Sequence, residues 1–114
     1  MSYTPIGKYM YVVCFFDLPT QTKRERKRYT VFRRKLMQAG FVMMQYSVYL
    51  TQVRGTHQVQ DRIEKVKSFA PKNGEIRLLT ITDRQFDRME LIVNYEYTKS
   101  DKSLEYGCQT IMEF

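Results

Sequence analysis

The 114-residue sequence contains no tryptophan, one histidine, two cysteines, three prolines and five glycines. Each scarcity excludes something. Cys14, Cys108 and His57 are too few and too far apart for a four-ligand zinc site. Two cysteines make no disulfide framework, and Cys14 lies inside an apolar run, so it reads as a buried free thiol. That cysteine usage fits a cytoplasmic protein. The glycines form neither GxGxxG nor a phosphate-binding Walker loop, and no Ser-His-Asp or Cys-His grouping occurs. His57 alone reads as a surface or capping residue. Long apolar runs are also missing. The best one, residues 9–16, is too short for a secretory leader or a membrane span, so no membrane partner is expected. The length leaves room for one core and excludes the large nucleotide-binding and barrel architectures.

Acidic residues are missing from one place in particular. Residues 23–35 hold eight bases (Lys23, Arg24, Arg26, Lys27, Arg28, Arg33, Arg34 and Lys35) and a single acid, Glu25. The rest of the chain carries eleven residues of each sign, so the net charge of +7 sits on these thirteen positions. A solvated helix face normally mixes signs at i,i+4 spacing. This one does not, and a polyanionic partner follows, nucleic acid ahead of a membrane surface. At 1.5 Å per residue the segment spans roughly 20 Å, several phosphate spacings along one strand. The Lys and Arg mixture suits phosphate contacts and offers no base reading.

The periodicity predicts the elements. Residues 9–16 are β-branched and aromatic on both parities, as in a central strand buried on both faces. Thr22 and Glu25 make a capping box, and a helix runs to about Ala39, stopped by Gly40. Its apolar stripe is Tyr29, Phe32, Leu36 and Ala39. Strands follow at 41–45 and 47–53, reversing near Tyr46. A second helix is predicted over 57–69, capped by Thr56, with Val59, Ile63, Val66 and Ala70 as its stripe. After a turn at 71–74 come a strand at 75–82, one helical turn at 83–88 and a short fifth strand at 89–94. This order predicts an α+β, ferredoxin-like β-α-β-β-α-β fold with an additional short C-terminal strand. One domain is expected over 1–94, with a lead-in at 1–8 and a tail at 95–114. Both helices should cover one sheet face, and the bare, apolar other face should be buried in a homodimer.

Asp17 closes the first strand. A carboxylate there can hold a divalent cation, but a lone one is a poor Mg²⁺ site. Two-fold symmetry would bring a second copy. The alternative is a turn-opening aspartate that accepts backbone N–H bonds. Tyr9, Tyr11 and Phe15 share one parity and could stack bases, yet the RNA-recognition signature is absent and packing is the favoured reading.

In combination, the run from Val12 to Pro19, the basic helix, the segment from Gly40 to Ser47, Val48 and Tyr49, and the segment from Leu79 to Phe86 resemble the CRISPR-associated protein two family. The similarity covers residues 9–94 and is closest to the version in type II systems. It implies a homodimer in which each C-terminal strand adds to the other sheet. It implies a DNA-binding adaptor of spacer acquisition, bridging dimers of the CRISPR-associated integrase and holding a double-stranded DNA prespacer. It also implies a Mg²⁺-dependent endonuclease on RNA or double-stranded DNA, with Asp17 as catalytic residue and metal ligand at the two-fold axis. A toxin-like ribonuclease on the same fold is a further alternative. Lys23, Arg24, Lys27, Arg28 and Arg34 are the nucleic-acid-binding candidates that the resemblance and the charge pattern together select.

Overall fold

The computed structural model describes residues 9–93. The predicted lead-in at 1–8, the tail at 95–114 and Cys108 lie outside them. The elements are β1 (Met10–Asp17), α1 (Lys23–Gln38), β2 (Val42–Gln45), β3 (Val48–Val53), α2 (Gly55–Phe69), β4 (Glu75–Thr82) and α3 (Asp83–Asp87). The four strands make one antiparallel sheet in the order β2-β3-β1-β4, which is the ferredoxin-like arrangement.

α1 begins and ends as its sequence dictates. The Thr22 hydroxyl accepts from Glu25 N at 3.1 Å, and Glu25 Oε1 accepts from Thr22 N at 3.0 Å. Such a cap stabilises by about 1 kcal/mol. At the other end Gly40 adopts φ +97°, Gly40 N donates to Met37 O, and Phe41 N donates to Leu36 O. This is a Schellman stop, and the apolar contact that accompanies it joins two buried residues, Leu36 and Phe41.

The core lies between the helices and one sheet face. Val12, Cys14 and Phe16 of β1, Tyr49 and Val53 of β3, Phe32 and Leu36 of α1, and Val66 of α2 are all buried there. Each large side chain so placed contributes about 1.5–3 kcal/mol. Alternation puts Tyr11, Val13, Phe15 and Asp17 on the other face, which no helix of the core layer covers. On that face Phe15 is 38%, Leu79 52% and Val42 61% exposed. α3 covers its far end, where Phe86 stacks on Tyr11 with centroids 4.4 Å apart. Tyr9 lies under the Arg54 guanidinium and accepts a hydrogen bond from it at 3.0 Å. Two of the three aromatics on this parity are therefore engaged in packing.

Three expectations change. α2 starts two residues earlier than Thr56 implied, because the Gln58 side chain accepts from Arg54 N at 2.7 Å and caps the helix from within. Ala70 is exposed and already extended beyond the helix end, and Phe69 packs on the core in its place. Residues 89–93 form no strand among the described residues: no sheet edge pairs with them, and Leu91, Ile92 and Val93 are 74%, 82% and 81% exposed.

Burial pushes the Cys14 thiol from 9.0 up to about 12. It likewise pushes the Tyr29 hydroxyl from 10.0 up to about 12. Both groups hold their protons more tightly folded than unfolded. Their contribution is complete below the ordinary values and is lost as pH rises through the folded ones. In a Cys108→Ser chain, Cys14 should resist a thiol reagent at about pH 8, where an ordinary thiol near 8.5 reacts. It should react once denaturant unfolds the protein. Rapid native labelling would contradict the burial.

Candidate metal and nucleic-acid site

Asp17 is the last residue of β1 and pairs in register with Glu75, the first residue of β4. β1 and β4 have the same length and run end to end, so the two carboxylates share the helix-free face. Asp17 is exposed, and its carboxylate makes no hydrogen bond or ion pair with another residue of the described chain. The turn-opening role, in which it would accept backbone N–H groups, is not what the structure has. The strand carries it to its final residue, and the backbone turn comes after.

A cavity of about 220 Å³ opens beside it, lined among others by Phe15, Ser47, Glu75 and Arg77. Arg77 Nη1 lies 2.8 Å from Glu75 Oε1, so those charges are committed to one another. The pair is exposed and contributes little to stability. Ser47 sits at the tight β2–β3 reversal with φ +62°, a left-handed conformation rare for a non-glycine residue. Its carbonyl accepts from Phe16 N at 3.1 Å, which ties the reversal to the end of β1. Its hydroxyl lies 3.4 Å from the Tyr29 hydroxyl. The Asp17 backbone is held from the opposite side by the 71–74 turn. A Cβ on Gly74 would stand 2.6 Å from the Asp17 carbonyl oxygen.

Among the described residues no group of three His, Cys, Asp or Glu comes together. The described residues therefore offer Asp17, with Glu75 taken by Arg77, and no closed cage. That donor set fits Mg²⁺, which binds through one or two carboxylates and keeps waters or phosphate oxygens in its other positions. It does not fit zinc.

Lys23, Arg24, Lys27, Arg28 and Arg34 are all exposed on α1. They belong to the helical layer, whereas Asp17 faces away from it, so a single subunit does not combine the two candidate sites. Arg24, Lys27 and Arg28 instead share a cleft with Lys72 of the 71–74 turn. Sequence reasoning missed Lys72, Ser47, Glu75 and Arg77. Counting the register of two equal eight-residue strands back from their shared end would have found Glu75. Nothing local in the sequence marks Lys72.

The profile of a family described as CRISPR associated protein Cas2 matches residues 10–89. A Parvibaculum lavamentivorans protein named CRISPR-associated endoribonuclease Cas2 is 43% identical over 84 residues, covering 74% of this chain and 83% of that one. A Flavobacterium psychrophilum protein of the same name is 35% identical over 102 residues, covering 88% and 89%. A Campylobacter jejuni protein, also so named, is 42% identical over 86 residues, which is 75% of this chain but only 60% of the relative's length. A solved structure described as the crystal structure of cas2 aligns with a TM-score of 0.53 at 17% identity, covering 83% of this chain and 92% of that one. At that identity the likeness is one of fold.

Proposed function

The chain belongs to the CRISPR associated protein Cas2 family, and from that premise we propose that it is a phosphodiester endonuclease acting as a homodimer, with Asp17 of each copy holding Mg²⁺ at the two-fold axis. The observation that carries this is the exposed Asp17 carboxylate at the end of the central strand, which has no hydrogen-bond or ion-pair partner among the described residues. The names of the relatives support RNA as the substrate. A metal held there would neutralise charge on the scissile phosphate and acidify a bound water. The protein's own part is positional. β1 delivers the carboxylate, the Ser47 carbonyl and the Gly74 approach hold the backbone behind it, and Glu75 keeps Arg77 from pairing with Asp17.

The dimer is supported by the apolar helix-free face, since Phe15, Val42 and Leu79 are all exposed on it. Leu91, Ile92 and Val93, which pair with no strand among the described residues, would gain a partner on the sheet edge of a second copy. The test is cleavage of end-labelled RNA and duplex DNA by the purified dimer. Cleavage should need Mg²⁺, stop on chelation and return when the ion is restored. Cleavage that persists in chelator, or a protein that sediments as a monomer at micromolar concentration, would sink this reading.

The concentration of charge on α1 favours a second role, a DNA-binding adaptor that bridges integrase dimers and holds prespacer duplex during spacer acquisition. Duplex binding should then weaken steeply with salt. Replacing Lys27 and Arg34 by Gln should reduce the slope of log K against log salt by about two, one per phosphate contact. An unchanged slope would place the duplex elsewhere.

A further inference from the structure

A cleft of about 590 Å³ lies between α1 and the segment that joins α2 to β4. This is within the range of small-ligand sites, roughly 300–1,000 Å³. Its chemistry is divided. Arg24, Lys27 and Arg28 of α1 face Lys72 of the turn around it, while Val31 and Phe69 are among its apolar lining. Phe69 packs against buried Phe32, also in the lining, with ring centroids 5.7 Å apart. None of the four cations makes an ion pair or hydrogen bond with another residue of the described chain.

An inorganic anion would satisfy the cations and leave the apolar surface wet. An uncharged apolar ligand would bury the surface and leave four cations unpaired. The lining calls for a flat apolar body with negative charge on either side of it, which describes one nucleotide within a strand. We propose that the cleft receives a single unpaired nucleobase of a nucleic-acid strand against Phe69 and Val31, with the flanking phosphates on Arg24, Lys27, Arg28 and Lys72. Aromatic side chains take any base in this way because every base has a π face. Asn73, also in the lining, offers a donor and an acceptor to the base edge. A base inside an intact duplex cannot enter, so the cleft selects single strands, frayed ends or overhangs. This goes beyond strand hydrolysis at Asp17 and does not depend on it.

The test compares an oligothymidylate of about 8 nucleotides with an abasic strand of the same length and charge, by fluorescence anisotropy on the full chain. Chelator is present throughout, so cleavage plays no part and failure of the nuclease reading would not alter the result. The base-bearing strand should bind roughly 5- to 150-fold more tightly, the range that stacking of one base supplies. Phe69→Leu keeps an apolar side chain on Phe32 but removes the aromatic face, and should erase most of that ratio. Val31→Glu, at a half-exposed position, should do the same through charge. Lys72→Gln should weaken both strands alike. Equal binding of the two strands to the unmodified protein overturns the proposal. So does a ratio that survives both Phe69→Leu and Val31→Glu, and the cationic rim would then belong to an acidic segment of a protein partner.

Discussion

Asp17→Asn should lower divalent-dependent cleavage by at least 10²-fold, about 2.7 kcal/mol of barrier, while the fold is unchanged. The two halves of this expectation have separate causes. The loss follows because Asp17 stands at the end of β1 with Glu75 engaged by Arg77, so among the described residues no second carboxylate replaces it. The unchanged fold follows because the Asp17 side chain makes no hydrogen bond or ion pair with the described residues. Surface changes of that kind stay within about 0.5 kcal/mol. A third readout does not involve activity. In the proposed dimer the two Asp17 carboxylates across the axis repel when no cation lies between them. The variant should therefore dimerise more tightly than the unmodified chain in chelator, and added Mg²⁺ should tighten only the latter. Undiminished cleavage would move the reaction away from Asp17. Lost cleavage with intact duplex binding would separate the nuclease from the adaptor role, because the α1 cations are untouched.

Gly74→Ala should destabilise the protein by roughly 2–5 kcal/mol and reduce cleavage with it. Gly74 adopts φ +95°, which costs an L-residue about 1–2 kcal/mol. The added Cβ would also lie 2.6 Å from the Asp17 carbonyl oxygen and 2.8 Å from Leu18 Cδ2. The nearer of these is backbone and cannot rotate away, so β1 or the turn must shift, and overpacking of this sort costs about 1–3 kcal/mol. Gly55→Ala separates the two terms. Gly55 has φ +76°, and a Cβ there would meet nothing within 4 Å, so it carries the backbone strain without the clash. The difference between the two midpoints in urea measures how tightly the 71–74 turn is pressed on Asp17. Equal midpoints would mean that the turn does not hold the site.

Features that depend on near neighbours in the chain were legible from the residues alone. The Thr22–Glu25 box, the Gly40 stop and the Phe32–Leu36 stripe each follow from spacings of three or four residues, where one helical turn sets the geometry. The strand at 75–82 and the helical turn after it were legible as well, and the structure adds a second capping box at Thr82 and Gln85. The start of α2 differs from the one Thr56 implies because the structure caps the helix with the Gln58 side chain instead. Only the backbone path, with Gly55 in the left-handed region, makes the Gln58 contact the one formed. The fifth strand illustrates a different limit. The apolar, β-branched run at 91–93 suits pairing, but a strand exists only with a hydrogen-bonding neighbour, and the described residues supply none.

The order of the elements from β1 to α3, the concentration of the whole net charge on thirteen residues and the position of Asp17 at a strand end all follow from the residues alone, because these are properties of contiguous chain. Their surroundings came from long-range packing. Strand register set Glu75 opposite Asp17, and the return of the 71–74 turn onto β1 pressed Gly74 against the Asp17 backbone. The same turn set Lys72 across from Arg24, Lys27 and Arg28 over an apolar floor. Those partners are 44 or more positions apart in the chain. Their meeting depends on burying one common core between two helices and a sheet, a condition on the entire fold that no local spacing encodes.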